Sequence, residues 1–347
     1  MPERTIRPND PALRWAGAIT VEHTPHWSRA WRVPHERLDL FPGDGLRNRA
    51  AAAAGVRICF ATDSTTIAGR IVPGDAPNEL SPIDLVVDGS ATATTAVIHD
   101  DRFAFTGLPA TRKNVELWLP QFGEFRLQHL SLDAGATVQA ARPAVAPKLI
   151  TYGSSITHCR AAASPTRTWP AILARTLGVD LTCLGYGGQA HLDPMIARMI
   201  RDLPADIITT CFGINVYGGG TFNTRSFLPA VLGFLTTIRD GHPDIPILVI
   251  SPIYSPGRED QPGASGMTLK EIRDHVKDAV HLLHHCGDPD IHLLNGLDVL
   301  GPEHRDRLFD NLHPDAHGYE LMADKITPVV RQLHQAPRLK MHELTPP

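Results

Sequence analysis

The sequence predicts an α/β chain in two parts: an all-β, jelly-roll-like sandwich over residues 1–145, then a three-layer parallel sheet with helices on both faces over residues 146–337. A short tail, 338–347, follows. Three observations lead there. Up to about residue 139, short runs of alternating apolar residues are separated by turn signals. Beyond residue 147, continuous apolar runs alternate with amphipathic helical segments. Between the two patterns, residues 140–147 are small and proline-bearing, which marks a boundary.

In the first part, residues 56–61 and 83–87 are strand-like, the latter ending at Asp88-Gly89, a strong turn signal. Residues 115–119 alternate, and residues 125–132 alternate more strictly, so each places its apolar side chains on one face. A short helix is expected over 49–54. In the second part, residues 149–152 form a strand and residues 169–177 a helix closed by Gly178. The alternation continues with strand 180–184, helix 194–200, strand 207–212, helix 227–239, strand 247–251, helix 269–283, strand 291–294 and helix 318–333. In such sheets, ligands sit beyond the carboxyl ends of the strands.

At 347 residues the chain exceeds one typical domain. With 42% hydrophobic and 20% charged residues it has an ordinary globular composition. A formal net charge of -4 offers no electrostatic basis for nucleic acid or anionic membrane as partner. No apolar run is long enough to span a bilayer, and the first residues lack the apolar core of a signal peptide. Five widely spaced cysteines with no C-x-x-C pair point to reduced thiols and a cytoplasmic location. No metal and no cofactor are expected, because Cys, His and carboxylates do not cluster at ligand spacing.

The chemistry-bearing residues stand at strand ends. Gly153-Ser154-Ser155 follows the first strand of the second part, and Asp310-Asn311-Leu312-His313-Pro314 lies near the C-terminus. A serine becomes a good nucleophile when a base takes its proton, and an imidazole works best when a carboxylate holds its other nitrogen. Ser155 is therefore the expected nucleophile, with Ser154 its neighbour and rival. Serines after strands are also common helix caps. His313 is the expected base. Among 18 histidines it is singled out by Asp310, three residues earlier, whose alternative role is capping a turn. Asp315 and His317 fit better as the entrance to the last helix. Donors for a developing oxyanion are expected from the Gly185-Tyr186-Gly187-Gly188 turn and from Asn215, while Gly218-Gly219-Gly220 suggests a mobile loop. Trp15, Trp27, Trp31 and Trp118 fit core or inter-domain packing better than sugar stacking, and Trp169 fits core.

Taken together, these four blocks resemble the SGNH (GDSL) hydrolase superfamily over roughly residues 148–333. The resemblance implies a catalytic set of Ser155, Asp310 and His313. It also implies an oxyanion hole from the Ser155 N–H, Gly188 and Asn215. Ser154, Tyr186 and Tyr217, beside these blocks, are the expected substrate contacts. Two positions depart from the pattern: Ser154 stands where the family usually has Asp, and Val216 where Asp often follows the asparagine. The Gly-Ser-Ser form with an N-terminal β-domain is similar to a sub-group that includes carbohydrate acetyl esterases and an acyltransferase of tetracycline-type antibiotic assembly. The implied activity is a serine esterase acting on a small acyl ester, such as acetyl, of a hydroxylated or glycosylated metabolite. Acyl transfer to a sugar or natural-product hydroxyl is the alternative, and a non-catalytic carbohydrate-binding protein a third reading.

Overall fold

The computed structural model describes residues 3–74, 79–90, 94–141 and 145–335. Within them the N-terminal strands form two antiparallel sheets. One runs Thr20–His23, Ser28–Trp31, Leu127–Asp133, Ile67–Ile71, Arg102–Phe105, with Glu3–Ile6 paired beside Leu127–Asp133. The other runs Val138–Gln139, Arg57–Thr62, Lys113–Trp118, Ile83–Val87, Thr94–Ala96, with Arg14–Ala16 against Arg57–Thr62.

The two-residue side-chain period decides what each face of the second sheet buries. Ile58, Phe60, Ile83, Leu85, Val115 and Leu117 enter the sandwich core against Ile67, Phe103 and Leu130. The intervening Val86 and Trp118 join a second core with Trp169, Leu181 and Tyr319 of the C-terminal half. Arg57 lies on the same side, donating to the Leu181 carbonyl at 3.1 Å and pairing with Asp180. Asp84 is fully buried there, accepting from Ser164 Oγ at 2.6 Å and the Thr166 N–H at 2.9 Å. Its four donors in all satisfy a carboxylate that would otherwise be costly to bury. The sheet is thus covered on both sides, and all six residues of Arg57–Thr62 are buried.

The C-terminal half is a five-stranded parallel sheet in the order Asp180–Gly185, Lys148–Gly153, Ile207–Cys211, Ile247–Ile250, Ile291–Leu294. Helices Trp169–Leu177 and Ala316–Gln335 cover one face, where Trp169, Leu173, Met322 and Ile326 pack. Helices Pro194–Asp202, Phe227–Gly241 and Leu269–His285 cover the other, with Ile196, Val231, Phe234 and Val276 inward. The strand and helix ends follow local chemistry. Thr168 caps the helix Trp169–Leu177 and Gly178 ends it at φ +66°, while Thr268 and Glu271 form a capping box on the helix Leu269–His285.

Arg32 is fully buried between the halves, and among the described residues no carboxylate pairs with it. It donates to the carbonyls of Ala52 (2.7 Å), Gly185 (2.6 Å), Cys183 (3.1 Å) and Arg49, with the Tyr186 ring 5.1 Å from its guanidinium. Burial pushes its pKa down, but a guanidinium remains charged across the working range.

Several local expectations are corrected. The helix expected over 49–54 is Asp44–Ala50; Ala51 to Ala54 are all buried in the irregular backbone that follows it. Their helix propensity loses to packing, since Arg32 claims the Ala52 and Arg49 carbonyls and Ala52 bridges Glu124. Strands of three or four residues, such as Arg14–Ala16 and Ser28–Trp31, are too short to show an alternating run. The boundary expected at 140–147 falls partly outside the described residues, and the tail 338–347 lies wholly outside them. Among the described residues no helix is long and apolar enough to cross a membrane. All five cysteines are free, four of them buried.

Candidate active site

The central strand, Lys148–Gly153, delivers the chain to the site. A Cβ on Gly153 would lie 2.2 Å from Thr157 Oγ1 and 2.6 Å from the Cys211 carbonyl oxygen, so only glycine lets the strand turn at once into helix Ser155–His158. Ser154 is the cap of that helix, its Oγ accepting the Ile156 N–H at 3.2 Å. Ser155 follows as the first helical residue, so its own N–H has no helical carbonyl to bind and is left for a ligand.

The second piece is the turn Asp310–His313. Asn311 takes a left-handed φ of +60°, and its carbonyl is held by Ser255 Oγ at 2.7 Å and Arg258 Nη1 at 3.0 Å. Asp310 Oδ1 accepts the N–H groups of Leu312 (3.0 Å) and His313 (2.7 Å), while Oδ2 lies 2.6 Å from His313 Nδ1. The carboxylate therefore caps the turn and holds the imidazole at once. An ionised carboxylate only accepts, so Nδ1 carries the proton and Nε2 is free to accept from Ser155 Oγ, 2.8 Å away. Burial works to raise the Asp310 pKa, but the hydrogen bonds and charge of His313 and the Leu312 N–H outweigh it and leave the carboxyl below its ordinary range. Phe309 stacks on the His313 ring, centroids 6.0 Å apart.

The two residues expected as oxyanion donors line the same pocket as the serine. Gly188 lines the pocket at φ +72°, a left-handed conformation that glycine adopts without strain. Asn215 Oδ1 accepts the Ala190 N–H at 3.0 Å, which turns its Nδ2 to the other side and leaves it free to donate. The pocket has a volume of about 830 Å³ and takes walls from both halves: Leu80, Pro82 and Phe122 from the sandwich, Phe309 and Leu312 from the sheet domain. That size accommodates an organic substrate, well beyond a single acetyl group.

His158 was not foreseen. It ends the helix that Ser155 begins, fully buried. Its Nε2–H donates to the Gln121 carbonyl at 2.7 Å and its Nδ1 accepts the Gly187 N–H at 3.3 Å. Burial, aided by the charges of Arg32 and Arg49, holds its pKa well below the ordinary histidine range. The neutral ring ties the serine helix, the sandwich and the glycine turn together. Its signal in the sequence is only its position three residues after Ser155. Arg49, Phe122 and Arg160 also line the pocket and had no signal there at all.

The three expected substrate contacts stand in different places, and two of them, Tyr186 and Ser154, are buried away from the pocket. Tyr186 is fully buried, its hydroxyl donating to the Arg32 carbonyl at 2.5 Å, so it belongs to the inter-domain core. Ser154 is buried in its capping role and does not reach the pocket. Tyr217 lines an adjoining cleft that shares Gly188, Asn215 and Leu312 with the pocket, and its hydroxyl donates to the Gln261 carbonyl at 3.1 Å. Gly218 to Gly220 end the helix Ile214–Gly219, with Gly220 as its left-handed cap, rather than forming a loop over the site. Asp315 caps the last helix by accepting the Gly318 N–H at 2.7 Å, as anticipated. Trp31, Trp118 and Trp169 are core; Trp27 is half-buried and stacked against Arg29 and Arg126, and Trp15 donates to the Pro8 carbonyl at 3.0 Å.

Comparison with known proteins agrees with this architecture. Residues 147–331 match the model of the GDSL-like lipase/acylhydrolase family, and residues 13–128 match that of the SsfX3 N-terminal domain. Among solved structures, a salicylyl-acyltransferase, SsfX3, from a tetracycline biosynthetic pathway is 36% identical, with 96% of this chain and 98% of that one covered at a TM-score of 0.86. A candidate GDSL-like lipase from Bacteroides ovatus is 20% identical, covers 98% and 100%, and has a TM-score of 0.80. A family two carbohydrate esterase from Clostridium thermocellum is 14% identical, covers 92% and 98%, and has a TM-score of 0.64. The latter two show a common fold. No curated protein sequence matches the chain.

Proposed function

The chain belongs to the GDSL-like lipase/acylhydrolase family, and we propose that it is a serine acyl-transfer enzyme that passes an acyl group through Ser155 to an oxygen acceptor. The observation behind this reading is the unbroken relay from Asp310 Oδ2 to His313 Nδ1 at 2.6 Å and from His313 Nε2 to Ser155 Oγ at 2.8 Å. Ser155 Oγ attacks the carbonyl carbon of an ester as its proton moves to His313 Nε2. The carbonyl oxygen gains the negative charge, which the Ser155 N–H, the Gly188 N–H and Asn215 Nδ2 stabilise. Collapse of the intermediate breaks the bond to the leaving alcohol, which takes the proton from His313. An acceptor O–H then gives its proton to His313 and attacks acyl-Ser155, and a second collapse breaks the bond to Ser155 Oγ, which takes the proton back from His313.

With water as acceptor, the protein is an esterase for a small acyl ester of a hydroxylated or glycosylated metabolite. With a sugar or natural-product hydroxyl as acceptor, it is an acyltransferase. The second reading is favoured by the two-domain pocket of about 830 Å³, which has room for donor and acceptor groups, and by the similarity to a salicylyl-acyltransferase. Intact-mass detection of acyl-Ser155 with a panel of activated esters, followed by its decay with and without alcohol acceptors, tests both. Decay accelerated by an alcohol, with formation of its ester, supports transfer; decay indifferent to every alcohol supports hydrolysis. Absence of any serine adduct, with turnover intact, would refute the covalent scheme.

Two substitutions test the parts. Asp310→Asn is expected to lower kcat/KM about 10²–10⁴-fold, because an amide offers the ring an N–H and lets the wrong tautomer form. A rate near that of the native protein would reduce the relay to a Ser–His pair. Asn215→Ala is expected to lower kcat about 10²–10³-fold while changing KM little, since the donor acts on charge present only in the transition state. An effect confined to KM would place Asn215 in ground-state binding instead.

A further inference from the structure

Among the described residues, one cation in the pocket has no anion to balance it. Arg49, at the end of the helix Asp44–Ala50, reaches from the sandwich to the glycine turn, where its Nε donates to the Gly187 carbonyl at 3.1 Å. A methyl placed on Gly187 would lie 3.6 Å from Arg49 Nε and 3.5 Å from Ser155 Cβ, so the guanidinium and the serine approach the same glycine. Its plane packs over the Phe122 ring at 5.1 Å. Arg160, two residues past the serine helix, packs over the same ring at 4.4 Å and is paired with Glu79 at 2.7 Å, on the exposed rim. Both arginines, Phe122 and Glu79 line the pocket. Among the described residues no carboxylate lies within ion-pair distance of Arg49, whereas Arg57, Arg239 and Arg273 each have one. Partial burial and the neighbouring charge of Arg160 both disfavour the charged form of Arg49, an unfavourable arrangement that a bound anion would relieve.

Arg49 lines the pocket with its Nε engaged on Gly187, and among the described residues its Nη1 and Nη2 make no hydrogen bond; that edge is the fork that recognises two oxygens of one anion. We propose that Arg49, with Arg160 across Phe122, forms a subsite for an anionic group of the substrate, a carboxylate or a phosphate close to the scissile ester. This rests on the acyl-transfer reading above and adds the charge class of its substrate. Such a subsite orients the carbonyl over Ser155 through an interaction remote from the reacting bond.

The test compares three aryl esters: a neutral butyrate, the corresponding hemisuccinate, which carries a carboxylate on the acyl chain, and an acetate whose leaving alcohol bears a phosphate. Native protein is expected to favour at least one anionic ester by about 10–100-fold in kcat/KM, the range of a hydrogen bond to a charged group. Arg49→Gln is expected to collapse that preference mainly through KM, and Arg49→Lys to restore part of it. Whichever anionic ester is preferred identifies the side of the scissile bond and the anion it carries. Binding of the same esters to the Ser155→Ala protein by calorimetry gives a readout without turnover, and there the anionic ester should bind more tightly until Arg49→Gln is added. Equal binding of neutral and anionic esters to Ser155→Ala protein would overturn the subsite. So would an equal loss of both on Arg49→Gln, which would make Arg49 a support for the glycine turn. If calorimetry shows the preference while no ester acylates native Ser155, the subsite stands and the acyl-enzyme scheme falls.

Discussion

Replacing Ser155 with alanine is expected to remove ester turnover by a factor on the order of 10⁴–10⁶ and to leave no acyl adduct by intact mass. The relay explains the size of the loss: without Oγ, His313 Nε2 has no hydroxyl to deprotonate, and oxyanion donors alone retain only a small residual effect. The fold should survive, because the structural work at this corner is done by its neighbours. Ser154 Oγ caps the helix, Gly153 permits the turn and His158 anchors the far end, whereas the Ser155 side chain is half-buried and faces the pocket. Ser154→Ala should do the opposite, costing about 1 kcal/mol of stability through the lost cap while acylation persists. A dead Ser154→Ala protein beside an active Ser155→Ala protein would shift the nucleophile by one residue and dismantle the proposed relay.

The second large effect lies in stability. Arg32→Met is expected to destabilise the protein by about 3–5 kcal/mol, since it strands several buried carbonyls that share one guanidinium. Those carbonyls belong to Ala52 and Arg49 on one side of the inter-domain contact and to Cys183 and Gly185 on the other. Gly185 opens the turn that bears Gly188, so activity should fall together with stability. Denaturant unfolding followed by fluorescence measures the loss. A change below about 1 kcal/mol would mean that water or rearranged backbone replaces the arginine.

The relay residues were legible because their information is local. Asp310 and His313 are three residues apart on one turn, and Ser155 follows a strand whose apolar run is unmistakable. Most elements of the parallel sheet were legible for the same reason: buried strands read as continuous apolar runs, and the helices between them show their own period. The expected oxyanion donors, the glycine turn 185–188 and Asn215, were legible at strand ends, and the resemblance only narrowed the turn to Gly188, since glycine-rich turns after strands are common. Tyr186 misled because an aromatic in a glycine turn gives no indication of which way it points. Its ring entered the inter-domain core, where the Arg32 carbonyl satisfies its hydroxyl. The short strands of the sandwich escaped because a pattern of period two needs more than three or four residues to stand out.

Charged residues mark the boundary between the two kinds of knowledge. On its own, the chain's order of residues determined the two architectures and placed serine, aspartate and histidine at a single rim. An aspartate inside a strand, or an arginine after a helix, conveys only that it carries charge; whether it meets water, a partner or nothing depends on what folds against it. Tertiary structure alone decided that Asp84 is buried under Ser164 and Thr166, that Arg32 bolts two domains, and that Arg49 and Ser155 approach the same glycine turn. The physical reason is range. Propensity and periodicity act between residues a few positions apart, whereas a pocket shared by two domains forms only when segments more than a hundred residues apart are brought into contact.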